Sequence, residues 1–171
     1  VTDNHPAERQ DPAGAPEVAA IDQETQEVID ELSGEFLTVA ADAAARDGWP
    51  EELIEPLTLI ALEPFLDSVL GGGDPDQAFE QAMAEAHARM FEEIFTSAQD
   101  DGETLADAFL CMLLLDRTLA EGRGEPEVKY PEVWVEAALA AVYEEAERGS
   151  DPGRQIGAGF DALAAAARAA A

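Results

Sequence analysis

Apolar residues recur at steps of three and four along most of the chain, and no stretch alternates in the manner of a strand. That spacing is the signature of one helix face. Between residues 17 and 47 the face runs through Val18, Ile21, Thr25, Ile29, Leu32, Phe36, Val39 and Ala43. Gly34 interrupts it and is worth about 1 kcal/mol less than alanine in a helix, so a bend or a shorter first helix is expected there. Gly48 ends the run. The next stretch, Leu53 to Leu70, is the most apolar in the chain, yet it contains Pro56 and Pro64, each preceded by a glutamate. A proline inside a helix removes a hydrogen bond and clashes with the preceding turn. This stretch is therefore expected to kink or to split into short pieces.

The remaining pattern is punctuated by caps and turns. Gly71-Gly72-Gly73 stops the second segment, and Asp74-Pro75 supplies a cap and a first-turn proline for the third. Phe79, Met83, Ala86, Met90 and Ile94 draw its inner stripe to about Ser97, and Glu85 and Arg89 are spaced to pair on its outer side. Asp100-Asp101-Gly102 is a turn. The following helix, about Glu103 to Glu121, is apolar nearly all round between Ala108 and Leu115. A helix without a polar face is usually central, so this one is expected in the middle of the molecule. Residues 122–131 read as a loop, and a helix with Val135, Leu139 and Val142 inward runs from Glu132 to about Arg148. Asp151-Pro152 caps a last helix that uses Ile156, Phe160 and Leu163. The sum is an all-α fold, a single-domain antiparallel helical bundle of five or six helices over residues 17–171. Residues 1–16, with three prolines and no periodicity, read as a disordered arm.

Composition changes the picture through charge. The chain of 171 residues holds 38 acids and 9 bases, a formal charge of -29. Such a chain assembles no basic face for a nucleic-acid backbone or an anionic membrane. The charge is uneven: 25 acids meet 3 bases in residues 1–101, and 13 meet 6 in the rest. Adaptation to high salt is one reading, supported by 34 alanines and a single lysine, Lys129. A second reading is a surface that binds a basic protein, where charge also speeds encounter. A special case of the second is a carboxylate array that imitates DNA and inhibits a DNA-binding protein. No segment reaches the length of a membrane-spanning helix, and no apolar stretch precedes Ala13-Gly14-Ala15, so a cytoplasmic protein without a signal peptide is expected.

Candidate chemistry is sparse. Cys111, the only cysteine, excludes an internal disulfide, and its apolar helix predicts an inert thiol. Asp74-Pro75-Asp76 begins like a calcium loop, but Ala78 and Phe79 stand where an oxygen ligand and a glycine are needed. His87 has Ala84 three residues before it, so the Glu-x-x-His pair of a di-iron bundle is absent. It is expected to pack at the margin of the apolar stripe. Glu92-Glu93, followed by Glu103 and Asp107, resembles the all-α nucleotide pyrophosphohydrolases of the MazG kind. That resemblance, over residues 88–120, implies magnesium held between carboxylates of two helices and nucleotide phosphates. Thr96 and Thr104 occupy two of the positions where that family presents glutamate.

These readings converge on a non-catalytic acidic interaction protein that needs no cofactor or metal. Its expected partner is a basic protein surface, or a second copy through an apolar helix face. The contact is expected on Glu24, Glu27, Glu31 and Glu35, on Glu55 and Glu63 within the apolar run 53–70, and on Trp49 as an anchor. A magnesium-dependent, pyrophosphohydrolase-like enzyme and a DNA-mimic inhibitor are the alternatives.

Overall fold

A computed structural model describes residues 22–127 and 129–170. The expected arm and the apolar positions Val18 and Ile21 lie outside the described residues. Six helices account for nearly all of what is described. They are α1 (Gln23–Arg46), α2 (Glu51–Leu70), α3 (Pro75–Asp100), α4 (Leu105–Gly122), α5 (Glu132–Glu147) and α6 (Pro152–Ala170). There is no strand among the described residues. The fold is an all-α helical bundle, as the periodicity predicts.

The caps form where the sequence puts them. The Asp22 carboxylate accepts from the Thr25 N–H at 2.8 Å, Asp74 from the Gln77 N–H at 3.0 Å, and Asp151 from the Arg154 N–H at 2.9 Å. Each satisfies one of the donors that a helix start leaves open. Thr104 caps α4 reciprocally: its hydroxyl accepts from the Asp107 N–H at 3.2 Å and donates to the Asp107 carboxylate at 2.6 Å.

Neither of the first two helices splits, and the core face of α1 differs from the expected one. α1 runs through Gly34 without a break. Its inner face is Phe36, Ala40 and Ala44, whereas Val39 is 51% exposed. The larger valine suggested the core position, but the alanines are what let α1 approach α2 closely. Of the two outcomes expected for α2, a kink or a split, the split does not occur: it is one helix with both prolines inside it. Each proline costs about 3 kcal/mol in a helix interior. Burial of Leu57, Ala61 and Phe65 offsets this, at about 1.5–3 kcal/mol for each large side chain.

The core has two lobes. One gathers Phe36, Trp49, Leu57, Phe65, Met83 and Met90 between α1, α2 and α3, with Leu115 and Leu119 from the end of α4. The Phe36 and Phe65 rings stack with centroids 4.4 Å apart. The other lobe gathers Phe95, Phe109, Met112, Val142, Ile156 and Leu163 between α3, α4, α5 and α6. Phe91 and Ile94 on α3 pack against both lobes. α3 contacts α2, α4 and α6, and α4, which contacts α3, α5 and α6, also reaches both lobes. The inner position expected for α4 is met on one side, but the helix is not enclosed all round. The face of α4 with Leu110, Cys111 and Leu114 is exposed, and Leu114 is 64% so.

Two glycines set the packing distances. At Gly122 a Cβ would stand 2.9 Å from the Gly48 carbonyl oxygen and closer still to its Cα, so only glycine lets the α1–α2 turn rest on the end of α4. At Gly159 a Cβ would stand 2.8 Å from Val142 and closer to the Phe109 ring. The α6 backbone thus lies directly on side chains of α4 and α5.

Candidate functional site

Three surfaces carry the charge and exposed apolar area from which function can be argued. The first is the acidic side formed by α1 and α2. Glu27, Glu31 and Glu35 follow one another at four-residue steps and are exposed on the side of α1 away from Phe36 and Ala40. Successive carboxylates on such a row lie about 6 Å apart along the axis. Glu24 belongs to α1, but its side chain lies outside the described residues. Glu27 accepts from the Gln23 amide at 2.9 Å, and Asp30 from the Gln26 amide at 2.8 Å. These neighbours are neutral and cancel no charge. Glu55 and Glu63 are both exposed on α2. Between the two helices runs a cleft of about 320 Å³ whose floor includes Leu37, Ile54 and Leu59, with Glu51 and Glu55 at its rim. Leu59 is 54% exposed there.

Trp49 does not join this surface. It is buried, at 5% exposure, with its ring centroid 5.2 Å from His87 and 6.2 Å from Phe91. The turn held by Gly48 and Gly122 drives it inward, so it anchors the core and not a partner. Most of the 53–70 run is likewise turned inward. Its outward apolar residues are Leu59 and Leu70.

Ion pairs between described residues gather toward the other end of the chain. Among the described residues, the ion pairs all fall between Arg117 and Arg148. They are exposed, and pairs of that kind are worth about 0–1 kcal/mol each. The Glu85–Arg89 pair expected on α3 does not form. The described acids of α1, α2 and α3 thus form no ion pair with a described base.

The second surface is the outer face of α4. Asp107, Leu110, Cys111, Leu114 and Arg117 are all exposed and recur at three- and four-residue steps. Beside it lies a cavity of about 500 Å³, floored by Leu113, Tyr130 and Val135 and edged by Arg117, Glu127 and Lys129. Arg117 pairs with Glu121 at 2.8 Å and with Glu127 at 3.5 Å. The Tyr130 hydroxyl donates to the Asp116 carboxylate and ties the α4–α5 loop to α4. Burial, and then that bond to a carboxylate, push the Tyr130 phenol well above its ordinary value. Periodicity hid this surface, because an all-round apolar helix looks central.

The third surface is a shallow cleft of about 360 Å³ lined by His87, Phe91, Glu92, Asp116, Ile156 and Phe160. His87 is half-buried, and its Nε2 is buried without a hydrogen-bond partner. Desolvation holds its pKa below the ordinary value. Arg123 acts in the same direction, and Asp47 acts against both. The expected packing role at the edge of the stripe matches this position. Glu92 lies over Gly153 at the start of α6, while Glu93 and Thr96 are exposed. Asp107 and Thr104 are engaged with one another in the α4 cap. Among the described residues, no three metal-ligating side chains gather in a group that could hold an ion.

The fold and these surfaces define an acidic all-α helical protein. The chain matches no protein-family model, no curated protein and no solved structure. No described helix is long and apolar enough to cross a membrane.

Proposed function

We propose that this protein works by binding, and that the acidic α1–α2 side receives a basic, amphipathic segment of a partner protein. One observation carries the reading: an apolar cleft between α1 and α2 rimmed by Glu51 and Glu55, on two helices whose described acids, Glu27, Glu31 and Glu35 among them, form no ion pair with a described base. The apolar floor takes the partner's hydrophobic side chains, and the carboxylates take its lysines and arginines. The carboxylates also accelerate its approach through long-range attraction.

The test uses a synthetic lysine-rich amphipathic helical peptide and isothermal titration at about 0.1 M KCl. Two triple charge reversals are compared, Glu27, Glu31 and Glu35→Lys on α1, and Glu80, Glu85 and Glu93→Lys on α3. Both change net charge equally. The α1 set is expected to weaken binding at least tenfold more than the α3 set. Equal losses would reduce the effect to net charge and remove the assignment. Far-UV circular dichroism decides against salt adaptation. The reading expects full helix content at about 0.1 M KCl, where screening reaches about 10 Å. A helical signal that appears only near 1 M KCl would make the acidity an adaptation to salt and overturn the proposal.

A further inference from the structure

The α4 face presents adjacent exposed leucines in the less acidic part of the chain. Leu110 is 39% exposed and Leu114 is 64% exposed, with Cys111 exposed between them. Contiguous exposed apolar groups of this kind mark interaction sites. The charges around them are close to balance: Arg117 and Lys129 edge the adjoining cavity with Glu127 as its one acid. By contrast, the α1–α2 cleft and the cleft beside His87 hold acids and no Lys or Arg.

We propose that this face is where two copies of the chain meet, with α4 packed antiparallel on α4 of the second copy. The sequence of the exposed stripe is self-complementary under that operation. A two-fold axis near residue 112 sets Leu110 against the second copy's Leu114 and Leu114 against its Leu110. The same axis sets Asp107 against the second copy's Arg117, and Arg117 against its Asp107. Both apolar and both ionic pairs share one register, so a single arrangement satisfies all four. A parallel pairing would set Asp107 on Asp107 and Arg117 on Arg117. A two-fold contact uses one patch twice and closes at a dimer.

Charge selects this occupant. Two chains of formal charge -29 repel one another over most of their surfaces. They can approach where local charge is nearly balanced and apolar area is available, and the outer face of α4 meets both conditions. The salt response follows. Association of two like-charged chains strengthens as salt screens their repulsion. Binding of a basic partner to the α1–α2 side weakens with salt. The two proposals therefore fail separately.

The experiment is sedimentation equilibrium of the full chain over a concentration series, at about 0.1 M and about 1 M KCl. A monomer–dimer equilibrium that tightens at the higher salt is expected. Leu114→Glu is expected to raise the dimer dissociation constant by about a hundredfold. The change enters twice by symmetry, and each lost leucine contact is worth about tenfold. Leu114 is exposed, so the helix signal should be unchanged; Leu114→Ser repeats the test with a neutral residue. Arg117→Asp should weaken the dimer, and adding Asp107→Arg should restore it. A short bismaleimide should join two wild-type chains through Cys111, the single cysteine, and should fail to join Leu114→Glu chains. Monomer at every concentration, including with a hydrophobic dye bound at the face, would assign the face to another partner and overturn the proposal. A dimer indifferent to Leu114→Glu would overturn it equally.

Discussion

A single methyl group at Gly159 should reverse the usual sign of a glycine-to-alanine change in a helix. Alanine is favoured over glycine in a helix interior by about 1 kcal/mol. Gly159 and Gly157 are both interior residues of α6, two positions apart, so this propensity gain applies to each. Their surroundings differ completely. A Cβ at Gly157 meets nothing within 4 Å. A Cβ at Gly159 would overlap the Phe109 ring and stand 2.8 Å from Val142. Phe109 and Val142 are each 0% exposed, so neither has free volume to move into. Overpacking of this kind costs about 1–3 kcal/mol. Because propensity cancels in the comparison, Gly159→Ala should be less stable than Gly157→Ala by about 1–3 kcal/mol. At about 2–4 °C per kcal/mol for a chain of this size, the melting temperatures should differ by about 2–12 °C. Urea and thermal unfolding of the two variants provide the assay. Phe109→Leu opens space at the ring, and in the Gly159→Ala background it should cost less than it does alone. Equal gains from both alanines, or additive behaviour with Phe109→Leu, would mean that α6 does not lie on α4 as described.

Two titrations test the loop and the α1–α2 turn. Tyr130 has a raised phenol pKa, so the folded state favours the neutral form. Stability from this group is complete below about pH 10, the unfolded value, and is lost as pH rises through the folded value. In Tyr143→Phe, where Tyr130 is the remaining tyrosine, phenolate absorbance should rise only well above pH 10; half-ionisation at or below that value would refute the Asp116 bond. His87 has a lowered pKa, so the unfolded chain binds the proton first. Its stabilising contribution is present above about pH 6.5 and is lost as pH falls through the folded value. Urea midpoints should therefore decline more for wild type than for His87→Gln between about pH 7 and about pH 5. Parallel curves would show that the imidazole is not desolvated against Trp49.

The helices were legible because each is bounded by a strong local signal. Asp74-Pro75 and Asp151-Pro152 open α3 and α6 in both the pattern and the fold, and Gly48 and Gly149 close α1 and α5 with positive φ. Which face of a helix points inward was harder to read, because small residues do the packing. Ala40 and Ala44 are fully buried while Val39 is not, and a reading weighted by side-chain size chose the valine. A related bias hid the outer face of α4. Its apolar residues encircle it, but Ala108, Met112, Leu115 and Leu119 take the inner face and leave two leucines outside. Trp49 was misjudged for a third reason. Its burial depends on the contact between Gly48 and Gly122, which are far apart in sequence, and no local pattern announces such a contact. The acids of α1 and α2, by contrast, were legible as an exposed set, because an unpartnered carboxylate is strongly driven to water.

The two proposed surfaces belong to different helices, and this bears on how the molecule would work. A dimer made through the outer face of α4 leaves the α1–α2 cleft of each copy open. Two acidic clefts then belong to one particle, and a partner with repeated basic segments engages both. The second contact is intramolecular, so avidity can exceed the affinity of one cleft by about 10²–10⁴ without any new contact, provided the partner's segments span the two sites. The opposing salt responses also set a window. At low salt each cleft binds most strongly, but repulsion between like-charged copies favours monomers. At high salt the dimer is favoured, but each cleft binds weakly. Bivalent capture is strongest at intermediate ionic strength, where neither term dominates. On this argument, the balanced charge around Leu110 and Leu114 and the unbalanced charge around Glu31 and Glu51 are two parts of one arrangement.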